Sequence, residues 1–328
     1  MTTTIRWGIL GTGKIARAFA TALNDTPDAT LVAVASRSLA SAHAFGAAFG
    51  VPHAYGSYEA LAAAPDVDIV YIATPHPMHA ANATLLLNGG KAVLCEKPFT
   101  INRREAEQVL ALARAKQLFI MEAMWTRFMP ALAEVRRVIA AGEIGAVHQV
   151  TADFGFTATR DPAHRVNNRD LGGGALLDLG IYPLSIAAAL AGPVAAVQAT
   201  AQLGDTGVDL QTAFTLTHDS GVMSVCSCSF KARTPVELTV AGELGFVRMN
   251  TQFHRATSVT VALADGSTRT VPTPYLGNGY VHEAIEAGRC LRAGLTESAG
   301  MTHADTLHLM GVLDTIRSQI GVRYPADE

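Results

Sequence analysis

The feature that most constrains this chain is Gly11-Thr12-Gly13-Lys14-Ile15-Ala16, ten residues from the N-terminus. It follows a short apolar stretch, Trp7–Leu10, and leads into apolar residues at helical spacing: Ile15, Ala16, Phe19, Ala20 and Leu23. Strand, glycine turn and helix start in that order form the phosphate-cradling corner of a dinucleotide-binding fold. Gly11 allows the tight turn, Gly13 lets a pyrophosphate approach the backbone, and Ala16 lets helix and strand pack closely. The free N–H groups and dipole at the helix start favour the anion. Thr12, Lys14 and Ile15 belong to the same turn and complete the expected pyrophosphate contacts.

The end of the second strand bears on which dinucleotide is bound. An NAD-preferring site has an acid about 20 residues beyond the glycines, where it accepts the ribose 2′-hydroxyl. Here Leu31–Ala35 ends in Ser36-Arg37-Ser38, with no acid. A carboxylate would repel a 2′-phosphate, whereas a guanidinium pairs with it and stacks on adenine. The expected cofactor is therefore NADP(H), with Ser36, Arg37 and Ser38 at its 2′-phosphate.

With 328 residues the chain has room for two domains and a sizeable core. A 49% hydrophobic and 16% charged composition excludes a disordered tail, and a net charge of -3 argues against a polyanion such as nucleic acid as partner. No apolar run of membrane-spanning length is expected. The N-terminus runs straight into the first strand, which leaves no room for a signal peptide. Cys95, Cys226, Cys228 and Cys290 have no zinc spacing and read as buried reduced thiols. A cytoplasmic protein without a metal site follows; His76 and His79 alone do not make one.

Strand signals at 5–10, 31–35, 68–73, 91–95 and 118–121 alternate with helical ones near 14–24, 39–49, 58–64, 78–88 and 102–116. That alternation means a parallel sheet with helices on both faces. Asn102 and Glu105 resemble a capping box. The pattern changes after about residue 122. A helix near 130–141 and a strand at 146–156 precede Gly172-Gly173-Gly174, which opens a long apolar helix to Ala191. Strand signals then run at 194–203, 208–218, 221–230, 235–242, 245–250, 257–264 and 268–272, and helices near 278–293 and 303–319 close the chain. The expected fold is α/β: a Rossmann doubly wound parallel sheet over 1–122, then an α+β domain with a large open, mostly antiparallel sheet over 123–328. The open sheet has apolar content on both faces (Ala201, Leu203, Ala213, Phe214, Leu216, Val222, Val225, Phe230), so one face is expected to pack on helices and the other to meet a second subunit.

Three residues carry the expected chemistry. Lys97, in Glu96-Lys97-Pro98, lies just past the strand at 91–95, at the end of the sheet where ligands bind. Asp178 and Tyr182 stand four apart on the long helix and share a face. An aspartate among Leu176, Leu177 and Leu179 is costly to bury unpaired, which marks it as purposeful. Hydride transfer at a hydroxyl-bearing carbon needs a group that takes or gives the hydroxyl proton. Tyr182 serves if its phenol pKa falls from about 10, and an ammonium such as that of Lys97 lowers it. Asp178 orients a substrate hydroxyl or Lys97.

Together with Ala73-Thr74-Pro75 and His79, these motifs resemble the Gfo/Idh/MocA family of oxidoreductases along essentially the whole chain. Many members carry histidine where Tyr182 stands. Tyrosine, with the segments Met121–Phe128 and Gly172–Tyr182, is similar to the dihydrodiol dehydrogenase branch, also described as acting on D-xylose with NADP. The resemblance implies NADP, the lysine–tyrosine pair and a homodimer formed through the open sheet. It also implies a substrate pocket with Trp125, Arg127 and Phe154 beside Asp178 and Tyr182, and cofactor contacts from Thr74, Pro75, His76, His79, Glu96 and Lys97. The implied activity is NADP-dependent oxidation of an aldose, polyol or cyclic trans-diol. Carbonyl reduction of a sugar derivative, of the anhydrofructose reductase kind, and a non-catalytic NADP-binding regulator remain open. The polar loop 160–171 receives no role.

Overall fold

A computed structural model describes residues 4–328. Residues 1–3, on which the reading of the chain's start partly rests, lie outside the described residues. The chain divides into two compact units, one running to Trp125 and resumed at Leu276–Leu307, the other Thr126–Tyr275 with His308–Glu328.

In the first unit, apolar runs become strands because helices cover both sheet faces. Its elements are β1 (Ile5–Leu10), α1 (Lys14–Asn24), β2 (Ala29–Ala35), α2 (Leu39–Phe49), β3 (His53–Tyr55), α3 (Tyr58–Ala62), β4 (Ile69–Ile72), α4 (His79–Asn88), β5 (Ala92–Glu96), α5 (Arg103–Lys116) and β6 (Ile120–Ala123). The sheet is parallel throughout, in the order β3-β2-β1-β4-β5-β6. The strand order reverses between β1 and β4, the point at which ligands bind in such sheets. The edge strand β3 went unread in the sequence, because three residues are too short to show a period. Asn102 caps α5 as expected: its side chain accepts from the Glu105 N–H at 3.0 Å while Glu105 accepts from the Ile101 N–H at 3.1 Å.

The second unit contains α6 (Pro130–Ala140), β7 (Val147–Gly155), α7 (Ile181–Ala191), β8 (Val194–Leu203), β9 (Asp209–His218), β10 (Met223–Ser229), β11 (Leu238–Gly242), β12 (Gly245–Met249), β13 (Ser258–Leu263) and β14 (Thr268–Pro272). Eight strands form one open sheet in the order β14-β13-β12-β11-β7-β10-β9-β8. Only the β7–β10 pair is parallel. The inward set, including Phe214, Leu216, Cys226, Cys228, Val240 and Val247, is buried, and α6 and α7 pack on the sheet. On the other face Met223, Val225 and Phe246 remain 52%, 45% and 36% exposed. The last two helices are α8 (Val281–Arg292), in the first unit, and α9 (His303–Ile320).

Two expectations need correction. The stretch entering α7 is not α-helical from Gly174: Leu176–Gly180 is a π-helical turn, and regular α-helix starts only at Ile181. A helical stretch long and apolar enough to span a bilayer does exist, Arg169–Ala191, but 83% of its apolar window is buried inside the fold, as in a core helix. Periodicity cannot separate these two uses of an apolar helix.

The first core is organised by aromatic contact. Phe19 of α1 stacks on Tyr71 of β4 with centroids 3.7 Å apart and planes 12° apart, and tilts against Trp7 of β1 at 5.4 Å. All three are fully buried. Phe19→Ala should cost about 3–5 kcal/mol of stability through lost burial and a cavity, read as a lowered denaturant midpoint with unchanged slope.

Candidate active site

The parallel register of the first sheet sets its site. Leu10 lies beside Ala35 and Ile72, and Ile72 beside Cys95. The residues after these four strands therefore leave the sheet along one edge: Gly11, Ser36, Ala73 and Lys97.

After β1 the chain turns at Gly11, with φ +110°; a Cβ there would meet the Ala73 carbonyl oxygen at 2.9 Å. Only glycine fits that backbone and that approach. Thr12 is half-buried, Gly13 and Lys14 are exposed, and Ile15 turns partly inward. No side chain caps the start of α1, and nothing lies within 4 Å of where a Cβ on Gly13 would stand. Uncapped N–H donors, a helix dipole and an open backbone suit an anionic dinucleotide phosphate. After β2, the Ser36 hydroxyl accepts from the Ser38 N–H, and Ser38 caps α2 by accepting from Ser41. Exposed Arg37 interacts with the Tyr58 hydroxyl, whose pKa burial raises and Arg37 partly restores. Tyr58 thus neighbours the Arg37 side chain, a pairing with no motif in the sequence.

His79 is wholly buried, its ring nitrogens 2.9 Å from the Thr74 and Pro98 carbonyl oxygens, so it ties the turn after β4 to the turn after β5. Burial pushes its imidazole below the usual range, against the opposing effect of those carbonyls. Asn82 donates to the Thr74 hydroxyl at 2.9 Å. Pro75 is exposed, and His76 is half-buried with its ring edge-on to His79 at 5.7 Å. At the end of β5, Glu96 accepts from the Tyr71 hydroxyl and, at 3.1 Å, from the Lys97 N–H. The Lys97–Pro98 peptide is cis, and the Lys97 side chain is half-buried. Trp125 is buried and stacks on Tyr280 with centroids 4.3 Å apart.

The second unit gathers Phe154, Asp178, Tyr182 and Arg127. Gly174, at φ +116°, permits the entry to the π-turn, where a Cβ would strike the Asp209 carboxylate. That carboxylate accepts from the Leu176 N–H at 2.8 Å and the Thr212 hydroxyl at 2.7 Å. A strand residue thus caps the turn from outside and sets its frame. Asp178 in the turn is buried, and Arg165 of the polar loop reaches it at 3.2 Å. One of the three loop arginines left without a role therefore neutralises the one acid in the apolar helix. Tyr182 is buried, 5.2 Å from Phe154 and 5.8 Å from His254 between ring centroids, and Phe154 stacks on His254 at 4.6 Å. Arg127 donates to the Ser185 hydroxyl at 2.9 Å and to its carbonyl, which anchors that guanidinium to α7. The sequence reading missed His254, Asp209 and Arg165 as neighbours of these groups. His254 and Asp209 come from segments distant in sequence, Arg165 from the loop 13 residues before Asp178, and none carries a local signature.

Residues 5–124 match the family described as "Oxidoreductase family, NAD-binding Rossmann fold", and residues 132–248 match the GFO/IDH/MocA C-terminal domain. The chain is 39% identical to trans-1,2-dihydrobenzene-1,2-diol dehydrogenase of Danio rerio, covering 98% of this chain and 99% of the relative; the Homo sapiens protein of the same name is 35% identical over 99% of each. Among solved structures, an aldose-aldose oxidoreductase from Caulobacter crescentus complexed with glycerol superposes with TM-score 0.87 at 26% identity, over 96% of this chain and 97% of the other. A 3-ketoreductase from Actinomadura kijaniata in complex with NADP and TDP-benzene gives 0.86 at 27% identity, over 97% and 98%.

The cap on the π-turn has a pH signature. Burial pushes the Asp209 carboxyl from its ordinary 3.8 up to about 6, against the opposing pull of Thr212 and Leu176. The native state therefore holds a proton that the unfolded chain has already released, and stability falls as pH rises from about 4 to about 6, by about 3 kcal/mol in total. Asp209→Asn should remove this component while keeping an acceptor for the Leu176 N–H. Wild type minus variant denaturation curves across that range should show it.

Proposed function

Because this chain belongs to the Gfo/Idh/MocA family of oxidoreductases, we propose that it is an NADP-dependent dehydrogenase moving hydride between the nicotinamide and a hydroxyl-bearing carbon of an aldose, polyol or cyclic trans-diol. The observation that carries the reading is Tyr182: a buried phenol in an aromatic wall with Phe154 and His254, four residues from an arginine-paired aspartate. A phenol enclosed in this way exchanges a proton with a substrate hydroxyl rather than with bulk water.

In this reading Gly11, Thr12, Gly13, Lys14 and Ile15 hold the pyrophosphate through backbone donors and the dipole of α1. Ser36, Arg37 and Ser38 take the 2′-phosphate, with Tyr58 steadying the guanidinium. Thr74, Pro75 and His76 border the cofactor, and fully buried His79 acts through the two turns it joins. Glu96 accepts from the Lys97 N–H and so fixes the backbone of the residue that brings the positive charge to the reaction. The bound cofactor supplies the hydride acceptor in oxidation and the donor in reduction. Tyr182 takes the hydroxyl proton in oxidation and returns it in reduction. Asp178 accepts from a neighbouring substrate hydroxyl, and its pairing with Arg165 offsets the cost of burying its charge. Trp125, Arg127 and Phe154 are substrate-binding residues in this reading.

The names of the similar proteins support both directions, as dihydrodiol dehydrogenase and as 3-ketoreductase. Carbonyl reduction is therefore kept as the reverse use of the same groups. The exposed apolar residues on the open sheet face support a homodimer formed there, and four buried, unpaired thiols accord with a cytoplasmic location.

Tyr182→Phe should lower kcat roughly 10²–10⁴-fold on any sugar or diol the wild type oxidises, with cofactor binding by nicotinamide fluorescence unchanged. Undiminished turnover in that variant would refute the proton-transfer role. Arg37→Ala should weaken NADPH binding roughly 10–100-fold and leave NADH binding nearly unaltered, the loss expected for one charge-assisted contact. Equal effects on both cofactors would refute the 2′-phosphate assignment.

A further inference from the structure

Besides Glu96 and Glu122, the first unit buries the carboxyl of Glu283. Glu283 lies in the first turn of α8, on the face that also buries Ala284 and Ala287, and it is fully inaccessible. Neither of its carboxyl oxygens receives a hydrogen bond from any described residue. Glu96 is differently placed: the Tyr71 hydroxyl and the Lys97 N–H both donate to it. Tyr71 is itself held flat against Phe19.

Two carboxylates buried near one another do not both ionise; one keeps the charge and the other the proton. Donors decide which. Glu96 has a phenol and a peptide N–H pointed at it, and Glu283 has neither. We propose that Glu283 is a positioning residue for the Lys97 turn: held as the neutral acid, it leaves the single negative charge of the pair on Glu96 and so fixes the carboxylate that grips the Lys97 peptide. This rests on the reading of Lys97 as part of the reacting site.

The groups that bear on Glu283 agree. Burial and the charge of Glu96 on β5 together push its carboxyl well above the usual carboxylate range. Burial, then Glu96, Glu283 and Tyr280, keep Tyr71 of β4 from ionising, so its hydroxyl stays a donor to Glu96. The Cys95 thiol, beside Glu96 on β5, is raised by burial and by Glu122 and Glu96, and adds no charge of its own. As pH rises far enough to ionise Glu283, the two charges repel, the grip on the Lys97 peptide loosens, and cofactor binding weakens.

The test compares the full-length wild type with Glu283→Gln, a neutral mimic of the same shape, and with Glu96→Gln. Infrared difference spectra should show a protonated-carboxyl stretch at neutral pH that Glu283→Gln loses and that titrates at lower pH in Glu96→Gln. NADPH affinity of Glu283→Gln should stay within about 3-fold of wild type at neutral pH and lack the alkaline weakening of the wild type, with the same flattening in the kcat profile. Absence of that infrared band in the wild type overturns the proposal. So does a band lost in Glu283→Gln while the NADPH-binding profiles of the two proteins superimpose. Neither readout depends on turnover: a wild type inactive on every hydroxyl substrate would sink the functional reading alone, while band and binding curves would still decide the role of Glu283.

Discussion

The closeness with which β1 and β4 finish is the constraint on which the rest of the first unit depends. The Cα of Gly11 lies against the Ala73 carbonyl with no room for a methyl group. That contact brings the start of α1 to the sheet edge at the point where strand order reverses. The first N–H groups of the helix stay free of a side-chain cap, because the N-cap residue is Gly13 and the space where its Cβ would stand is open. The proposed anion site thus rests on main-chain packing, and side chains near it hold neighbouring turns in place. His79 shows this most plainly: both nitrogens of its buried ring lie against main-chain carbonyls, one from each of two turns.

A second theme is how the fold treats buried acids, each of which would be costly if left unanswered. The solutions differ with the groups at hand. Asp178 in the π-turn is met by a guanidinium from a surface loop. Asp209 receives a peptide N–H and a hydroxyl, and its remaining oxygen stays bare, which raises its affinity for a proton. Glu96 is answered by a phenol and a peptide. The acids with few donors are those whose protonation burial favours. In each unit an acid with a raised proton affinity thus acts on a segment assigned to the reaction: Asp209 caps the turn that carries Asp178, and Glu283 is coupled to Glu96 beside Lys97.

Legibility followed the range of the forces involved. The glycine turn, the alternation of strand and helix, the seven late strands and the cap on α5 are written in near-neighbour chemistry, and their expected boundaries fall within three residues of the observed ones. Arg37, Lys97 and Tyr182, proposed for the site, stand on local motifs and were nominated for the same reason. The short edge strand β3 was not, because a pattern of period two needs more than three residues to declare itself. The π-turn was not, because a wider turn is stabilised by the Asp209 carboxylate, 33 residues away from the Leu176 N–H it accepts.

What the amino-acid order determined by itself was the class of fold and its glycine corner, and it nominated the side chains proposed to react, since glycine φ angles, apolar periods and side-chain pKa ranges are properties of single residues and their near neighbours. What only the tertiary structure decided was the company those side chains keep: Tyr58 at Arg37, Arg165 at Asp178, His254 beside Tyr182 and Glu283 behind Glu96. It also returned 276–307 to the first unit. These choices depend on which distant segments exclude water together, and desolvation acts on groups brought close in space whatever their separation along the chain.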